Sequence, residues 1–301
     1  MAASPVNRDL DGSSGAPLVF CSRSTGLAAR GALCATLLVL SGCAGATNYL
    51  DRAGPRHAAT AVHPATSDDG ELRVVSFNVK YAKRIDRAIR VLRMDDSLRH
   101  PDIVLLQEMD EAGTAAIADS LGMNWIYYPA SASGSGNDFG NAILSCWSLE
   151  ADTKILLPYQ GILRGNRRIA VAATARIDGR AFRIYCVHLA TVLGNGPDAR
   201  RQQLATVLDD AAGFPDVILG GDFNSETVPE IALARGYTWP TRRLPHTAKL
   251  WTVDHILLKG DLSARATSVG VVRNNLDASD HHPVWVAVGM GRRDESTRTG
   301  K

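Results

Sequence analysis

The residues of this chain best suited to chemistry begin with a ten-residue stretch, Pro215-Asp216-Val217-Ile218-Leu219-Gly220-Gly221-Asp222-Phe223-Asn224. Val217 to Leu219 reads as a short buried strand, and two glycines let the backbone approach a neighbour closely before a carboxylate and an amide appear. If the backbone stays extended, Asp222 and Asn224 at i and i+2 project to the same side. An anionic acceptor beside a neutral donor/acceptor suits one shared ligand, such as a metal-bound or water-bound phosphate. Gly-Gly-Asp and Asn are also ordinary turn formers, so the segment alone leaves both readings open. The pattern recurs along the chain. Asn78 follows Val74-Val75-Ser76-Phe77, Glu108 follows Ile103 to Gln107, and His188 follows Ile184 to Val187. Asp254 sits inside Trp251 to Leu258, and Asp280-His281 precede Val284 to Val288. Each residue alone has a plain explanation as a cap, a helix-start acid, a core histidine or an edge charge. Their recurrence at apolar runs points to a site, because burying carboxylates is costly unless they are paired or bind a cation.

The elements that must carry these residues alternate. Ile85, Ala88, Ile89 and Leu92 recur at helical spacing after the first strand, and Pro101-Asp102 stops that helix before the strand at Ile103. A second helix over about 112–121 and a strand from Trp125 to Tyr128 complete a strand, helix, strand unit of α/β type. A Ser/Gly loop, 131–137, then opens a strand-rich part with runs at 139–145, 168–177 and 181–189. Asp178-Gly179 joins the last two as a hairpin turn. A helix over 198–210, with Leu204 and Leu208 on one face, returns the chain to the glycine pair.

With 301 residues, 45% hydrophobic and 21% charged, the chain has an ordinary globular composition. Lys and Arg number 33 against 31 Asp and Glu, and without residues 1–43, which hold three arginines and two aspartates, the balance is 30 against 29. No basic stripe advertises a polyanion binder; the arginines near 164–168 and 200–201 read as solvated surface charge. Arg23 and Arg30 precede an uncharged run, Gly31 to Leu40, too short to span a bilayer but suited to a signal-peptide core. Leu40-Ser41-Gly42-Cys43 looks like a bacterial lipobox, in which the chain is cut before the cysteine and the cysteine carries lipid. The expected organisation is a signal peptide over 1–43, a flexible tether over 44–70, one domain over 71–290 and a disordered tail over 291–301. Of the five cysteines only Cys146 and Cys186 would remain in the mature domain, as one disulfide or as two buried thiols.

Taken in order, the motifs resemble the endonuclease/exonuclease/phosphatase superfamily. They are Ser76-Phe77-Asn78, Gln107-Glu108, Gly140-Asn141-Ala142-Ile143-Leu144-Ser145, Arg168, Val187-His188-Leu189, Gly221-Asp222-Phe223-Asn224, Asp254-His255-Ile256 and Ser279-Asp280-His281-x-Pro283. Cys146-Trp147-Ser148 departs from an Arg-x-Pro that often follows the Leu-Ser, and Asn166 stands where an acid is common. The resemblance implies a deoxyribonuclease-like four-layer α/β sandwich, with two packed mixed β-sheets flanked by helices and a site where strand ends of both sheets meet.

It also implies a metal-dependent phosphoric ester hydrolase, more a phosphodiesterase than a monoesterase. In it Glu108 is the main Mg²⁺ ligand with Asn78 beside it, Mn²⁺ being an alternative. His281 is the general base, and it needs an acceptor to hold its tautomer. Asp280 is adjacent in sequence and would point the other way in extended backbone, so Asp254 is the better partner and Asp280 faces a metal. Asp222 and Asn224 would orient water and phosphate, His188 and Arg168 would hold phosphoryl oxygens, and Asn141 would support substrate binding. His255 and His282 are expected to be structural. Loops between the strands are short, with no basic insertion to grip a duplex and no exposed aromatic hairpin to enter a bilayer. The expected substrate is a phospholipid head group, a nucleic acid or a small phosphodiester. The expected location is the bacterial cell envelope, the enzyme anchored to a membrane by lipid on Cys43 and facing periplasm or exterior. A monomer without a protein partner is expected. The alternatives are an envelope nuclease and a catalytically silent binding lipoprotein.

Overall fold

The computed structural model describes residues 47–62, 70–98, 100–132, 137–162, 165–192 and 194–290. The signal peptide, Cys43, most of the Ser/Gly loop and the tail over 291–301 lie outside the described residues.

Two mixed sheets face each other. The first contains β1 (Thr47–Asn48), β2 (His57–Ala59), β3 (Glu71–Asn78), β4 (Ile103–Met109), β5 (Asn124–Ala132), β6 (Asp138–Ser145), β13 (Ala266–Val271) and β14 (Val284–Gly289). Its order is β1-β5-β6-β4-β3-β14-β13, with β2 also on β5. The second contains β7 (Leu149–Gln160), β8 (Arg167–Ile177), β9 (Arg180–His188), β10 (Val217–Asp222), β11 (Tyr237–Thr238) and β12 (Asp254–Lys259), in the order β11-β12-β10-β9-β8-β7. Helices α1 (Ile85–Met94) and α2 (Glu111–Leu121) cover the first sheet, and α3 (Pro197–Asp210) and α4 (Glu230–Leu233) cover the second.

The four layers follow from the side-chain period of two in a strand. Leu72 and Val74 of β3, Ile103 and Leu105 of β4, Ile184 of β9 and Ile218 of β10 pack between the sheets. Val75, Phe77, Val104 and Leu106 face the other way, against Ala88, Val91 and Leu92 of α1 and Ile117 of α2. Tyr185, Val187, Val217 and Leu219 meet Leu204, Val207 and Leu208 of α3. These strands are apolar at nearly every position because both of their faces are covered. Each buried Leu, Ile or Val contributes about 1.5–3 kcal/mol, so the three seams are the main source of cohesion.

Register sets the site. β10 runs parallel to β9 and antiparallel to β12, so His188, Asp222 and Asp254 stand side by side across three strands. The glycine pair serves packing. A Cβ on Gly220 would meet Leu105 Cδ1 of the facing sheet at 2.7 Å, and one on Gly221, at φ 146°, would meet the Val187 carbonyl oxygen. The close approach that the glycines permit is therefore to protein on both sides, not to a ligand.

Several boundaries differ from the sequence reading. Residues 47–62, expected as tether, contribute β1 and β2, both paired with β5. Asn48 brackets the backbone at Gly165 and Arg167, and the fully buried Lys154 donates to the Tyr49 and Gly54 carbonyls. Pairing partners and a buried ammonium hold this segment, and neither leaves a periodic signature in it. β12 begins at Asp254 and not at Trp251, so the acid opens the strand instead of lying within it. β7 leaves no strand signature in the sequence because it is an edge strand with two register shifts, which break its alternation. Cys146 and Cys186 are free thiols.

Candidate active site

Glu108 departs from regular strand geometry. The pairing of β4 with β6 shifts between Gln107 and Met109, and Glu108 between them takes φ 59°. A bulge with one left-handed residue re-aims a side chain, at a cost for a residue with a Cβ. Directly after it, Asp110 caps α2 by accepting from the Gly113 N–H at 2.7 Å, which ties down the exit of β4. Burial pushes the Glu108 carboxyl above its ordinary range, opposed by Arg168, Asn78 and His281.

Asp222 is the hub. Its Oδ2 accepts from Asn78 Nδ2 at 3.0 Å, and it lies 3.4 Å from His188 Nε2 and 3.8 Å from His281 Nε2. Its Oδ1 accepts the Asn224 backbone N–H at 2.8 Å. That contact closes an Asx turn in which Asn224 takes φ 48°, a conformation asparagine tolerates. The extended-backbone reading of Asp222 and Asn224 fails here: Asn224 lines the cleft but donates its amide to the Leu189 carbonyl. Burial raises the Asp222 carboxyl, with His281 opposing.

The histidines take different states. Arg168 Nη1 stands 3.1 Å from His188 Nδ1. Because a guanidinium only donates, Nδ1 is the acceptor and the His188 proton sits on Nε2, toward Asp222. His188 is held neutral, its pKa pushed well below normal by burial and then by Arg168 and His281. His281 Nδ1 lies 2.9 and 3.1 Å from the two oxygens of Asp254. Burial by itself would lower the His281 pKa, but Asp254 and Asp222 outweigh it and raise it. With its pKa raised to about 10 the metal-free ring is an imidazolium, Nδ1–H on Asp254 and Nε2–H toward Asp222 and the cleft, and Nε2 becomes the basic atom once that proton leaves.

Asp254, and not Asp280, is thus the carboxylate on His281. Asp280 pairs with Lys80 Nζ at 2.9 Å and lies near enough to Glu108 to act on its charge. Lys80, which arrives from beyond Asn78, leaves no local signature beside Asp280. Asn141 also has another role. Only 2% exposed, it donates to the Ile169 carbonyl, tying β6 to β8 across the two sheets instead of facing substrate. Gln107 makes a similar tie to Ser76 and Cys186. His255 is structural, taking the Trp239 indole N–H on Nδ1 at 3.2 Å and facing the Ser225 carbonyl with Nε2 at 3.0 Å. His282 lines a separate groove.

Two donor sets fit a divalent cation. Asp222, Asp254 and His281 offer ligand atoms within 4.8 Å of one another, but Asp254 is already spent on His281. Glu108 is the carboxylate left short of compensation, with the Asn78 amide at 3.3 Å and His188 at 4.0 Å. Asn78 bridges Glu108 and Asp222 through its nitrogen, its oxygen accepting from the Lys80 N–H. A buried carboxylate in that state fits a hard cation.

The site opens into a cleft of about 560 Å³ whose lining includes Arg168, Asn224, Asp280 and His281. Tyr81, Tyr159 and Trp251 at its walls escaped the sequence reading, since nothing in their local pattern marks them. Trp251 belongs to a tight hairpin that the sequence reading did not expect. Its N–H donates to the Ala248 carbonyl at 2.7 Å, the Ala248 N–H returns the bond at 2.9 Å, and Leu250 and Trp251 are left exposed.

The profile of the Endonuclease/Exonuclease/phosphatase family matches residues 75–281. No curated protein matches the chain. Among solved structures, an endonuclease/exonuclease/phosphatase from Beutenbergia cavernae is 18% identical with a TM-score of 0.60, over 73% of this chain and 72% of that one. D. rerio TDP2 complexed with single strand DNA product is 19% identical with a TM-score of 0.59, over 73% and 99%. The human Nocturnin catalytic domain with bound sulfate is 20% identical with a TM-score of 0.53, over 78% and 96%. These identities speak to fold, and the family profile spans more than half of the chain. With a catalytic-type cluster at the meeting of two sheets, the chain belongs to the endonuclease/exonuclease/phosphatase family and is a metal-dependent phosphoric ester hydrolase.

Proposed function

We propose that this chain hydrolyses phosphodiesters by in-line attack of a water that gives its proton to His281 Nε2. The carrying observation is the Asp254–His281 pair at 2.9 Å, which leaves Nε2 as the basic atom toward the cleft. The water oxygen bonds phosphorus, the bond to the departing ester oxygen breaks, and the proton rests on an imidazolium that Asp254 and Asp222 favour. Arg168 and the His188 Nε2–H supply positive potential for the phosphoryl oxygens, and Asn224 orients the water. Glu108, with Asn78 beside it, would hold Mg²⁺ or Mn²⁺, which when bound neutralises phosphoryl charge. Lys80 already compensates Asp280, which we assign to positioning the cleft wall.

Turnover of a chromogenic phosphodiester by the purified chain, stopped by chelator and absent in His281→Ala, is the expected result. Full turnover in His281→Ala would refute the assignment of the base.

A nuclease reading draws on one further observation. Arg87, Arg90, Arg273 and His282 line a groove of about 530 Å³ beyond the Asp280-His281 turn, and similar TDP2 is described with single-strand DNA. Arg87 and Arg273 already donate to the Leu276 and His246 carbonyls, which spends part of that groove on the protein itself.

We further propose that Leu40-Ser41-Gly42-Cys43 directs acylation of Cys43 and anchoring at an envelope membrane, on the motif and the apolar run before it. Radiolabelled palmitate should enter the chain in a bacterial host and fail to enter Cys43→Ala; equal labelling of both would refute the anchor.

A further inference from the structure

Among the described residues eleven large hydrophobic side chains are exposed, and six of them stand around the mouth of one cleft, the one that holds His281. Tyr81, Tyr159, Val192 and Trp251 line it. Leu250 adjoins Lys249 and Trp251 in the hairpin, and Ile162 is held beside the lining residue Gly194 by its N–H to that carbonyl. Ile162 is 77% exposed, Leu250 73% and Trp251 61%, far from the burial such side chains normally reach. Single exposed apolar residues need no explanation, but a ring of them around a reactive cleft marks an interaction surface.

The chemistry of the ring discriminates between occupants. A nucleic-acid strand asks for cations spaced along its phosphates and flat faces for its bases. Among the described residues the cleft lining holds Arg168 and Lys249 as fixed cations, Lys80 is taken up by Asp280, and Arg168 is buried on His188, so no row of free cations follows a strand. Tyr81, Tyr159 and Trp251 offer flat faces, but Ile162, Val192 and Leu250, the other half of the ring, are aliphatic and offer none. A Leu-Trp hairpin tip with one lysine beside it matches the boundary between acyl chains and head groups. There tryptophan straddles the interface, and lysine buries its stem while its ammonium stays in water.

We propose that this ring seats the enzyme on a lipid bilayer, so that the phosphodiester of a phospholipid-type amphiphile enters the cleft while its acyl chains stay among the rim side chains. This rests on the phosphodiesterase reading above. The hairpin formed by Ala248 to Trp251 enters the head-group region, and Ile162 and Val192 meet the bilayer from the other side of the cleft. Lipid contact is a property of the rim, and hydrolysis a property of the residues beneath it.

The test uses the full chain carrying Cys43→Ala, so that no acyl group is attached, with phosphatidylcholine vesicles bearing brominated acyl chains. Tryptophan emission is expected to be quenched, and the quenched part to vanish in Trp251→Phe. Leu250→Asp and Ile162→Asp should lower hydrolysis of vesicle phospholipid about tenfold each while leaving a soluble chromogenic diester within about twofold, as loss of apolar burial predicts. Quenching that persists in Trp251→Phe overturns the proposal. So does an equal effect of Leu250→Asp on both substrates, or turnover that prefers a single-stranded oligonucleotide and ignores Leu250→Asp. Failure of the phosphodiesterase reading looks different: the soluble diester stays intact in the parent chain while quenching by vesicles still reports on the rim.

Discussion

Arg168 reaches His188 at 3.1 Å, and this contact sets the tautomer of a buried histidine whose other nitrogen faces the hub carboxylate Asp222. Arg168 comes from the start of β8 and His188 from the end of β9, adjacent antiparallel strands whose register brings them together. The guanidinium also lies 5.2 Å from the Phe139 ring centroid, which packs against His188 from the first sheet. Replacing Arg168 with Met keeps much of the bulk but leaves Nδ1 without a donor and removes a buried cation that interacts with Glu108 and Asp222. The expected cost is about 3 kcal/mol of stability, read as a lowered urea midpoint, with turnover falling as well. Arg168→Lys should recover little of either, since an ammonium lacks the planar fork. An unchanged midpoint in Arg168→Met would show that the contact does not hold His188.

Glu108 sits in a left-handed bulge with a desolvated carboxylate, two penalties at one position. Glu108→Gly relieves both, so in metal-free buffer it should be more stable than the parent by about 1 kcal/mol, a rise in Tm of roughly 2–4 °C. The same variant should lose activity, and its Tm should no longer rise on adding Mg²⁺. Calorimetry with and without the cation checks both. A lower Tm in metal-free buffer would place the carboxylate in a supporting network instead.

Asp254→Asn replaces an acceptor that favours the imidazolium with a neutral amide of nearly equal shape. Turnover should fall by about 10²–10⁴ while the urea midpoint moves far less, because the side chain still packs against His281. Asp280→Asn, at the Lys80 pair, should have an effect smaller by at least about tenfold. Comparable losses in the two variants would contradict the pairing seen in the structure.

His255 ties Trp239 to the Ser225 carbonyl only when neutral, and burial pushes its pKa down to about 4 from an ordinary 6.5. Its contribution is therefore complete above pH 6.5 and is lost as pH falls through about 4. The loss amounts to roughly 3 kcal/mol across that window. Urea midpoints between neutral and acid pH should fall more steeply for the parent than for His255→Gln, and parallel curves would remove His255 as the cause.

The residue types that end the buried strands are legible in the chain alone. Asn78, Glu108, His188, Asp222, Asp254 and His281 stand at or beside the ends of apolar runs because a covered strand tolerates polar groups only where it surfaces. The double-sided apolarity of β3, β4, β9 and β10 likewise carried the α/β alternation. What partners what was decided in three dimensions. Strand register placed His188, Asp222 and Asp254 in one row, and a bulge aimed Glu108. Lys80 claimed Asp280, and Asn141 turned into the seam between sheets. Residues 47–59 entered the first sheet, and the hairpin at 248–251 left a tryptophan at the rim. None of these has a local signature, because each depends on a backbone partner or a charge that arrives from elsewhere in the chain. Periodicity reports how a segment meets its own two faces, and hydrogen bonds and ion pairs between distant segments have no period.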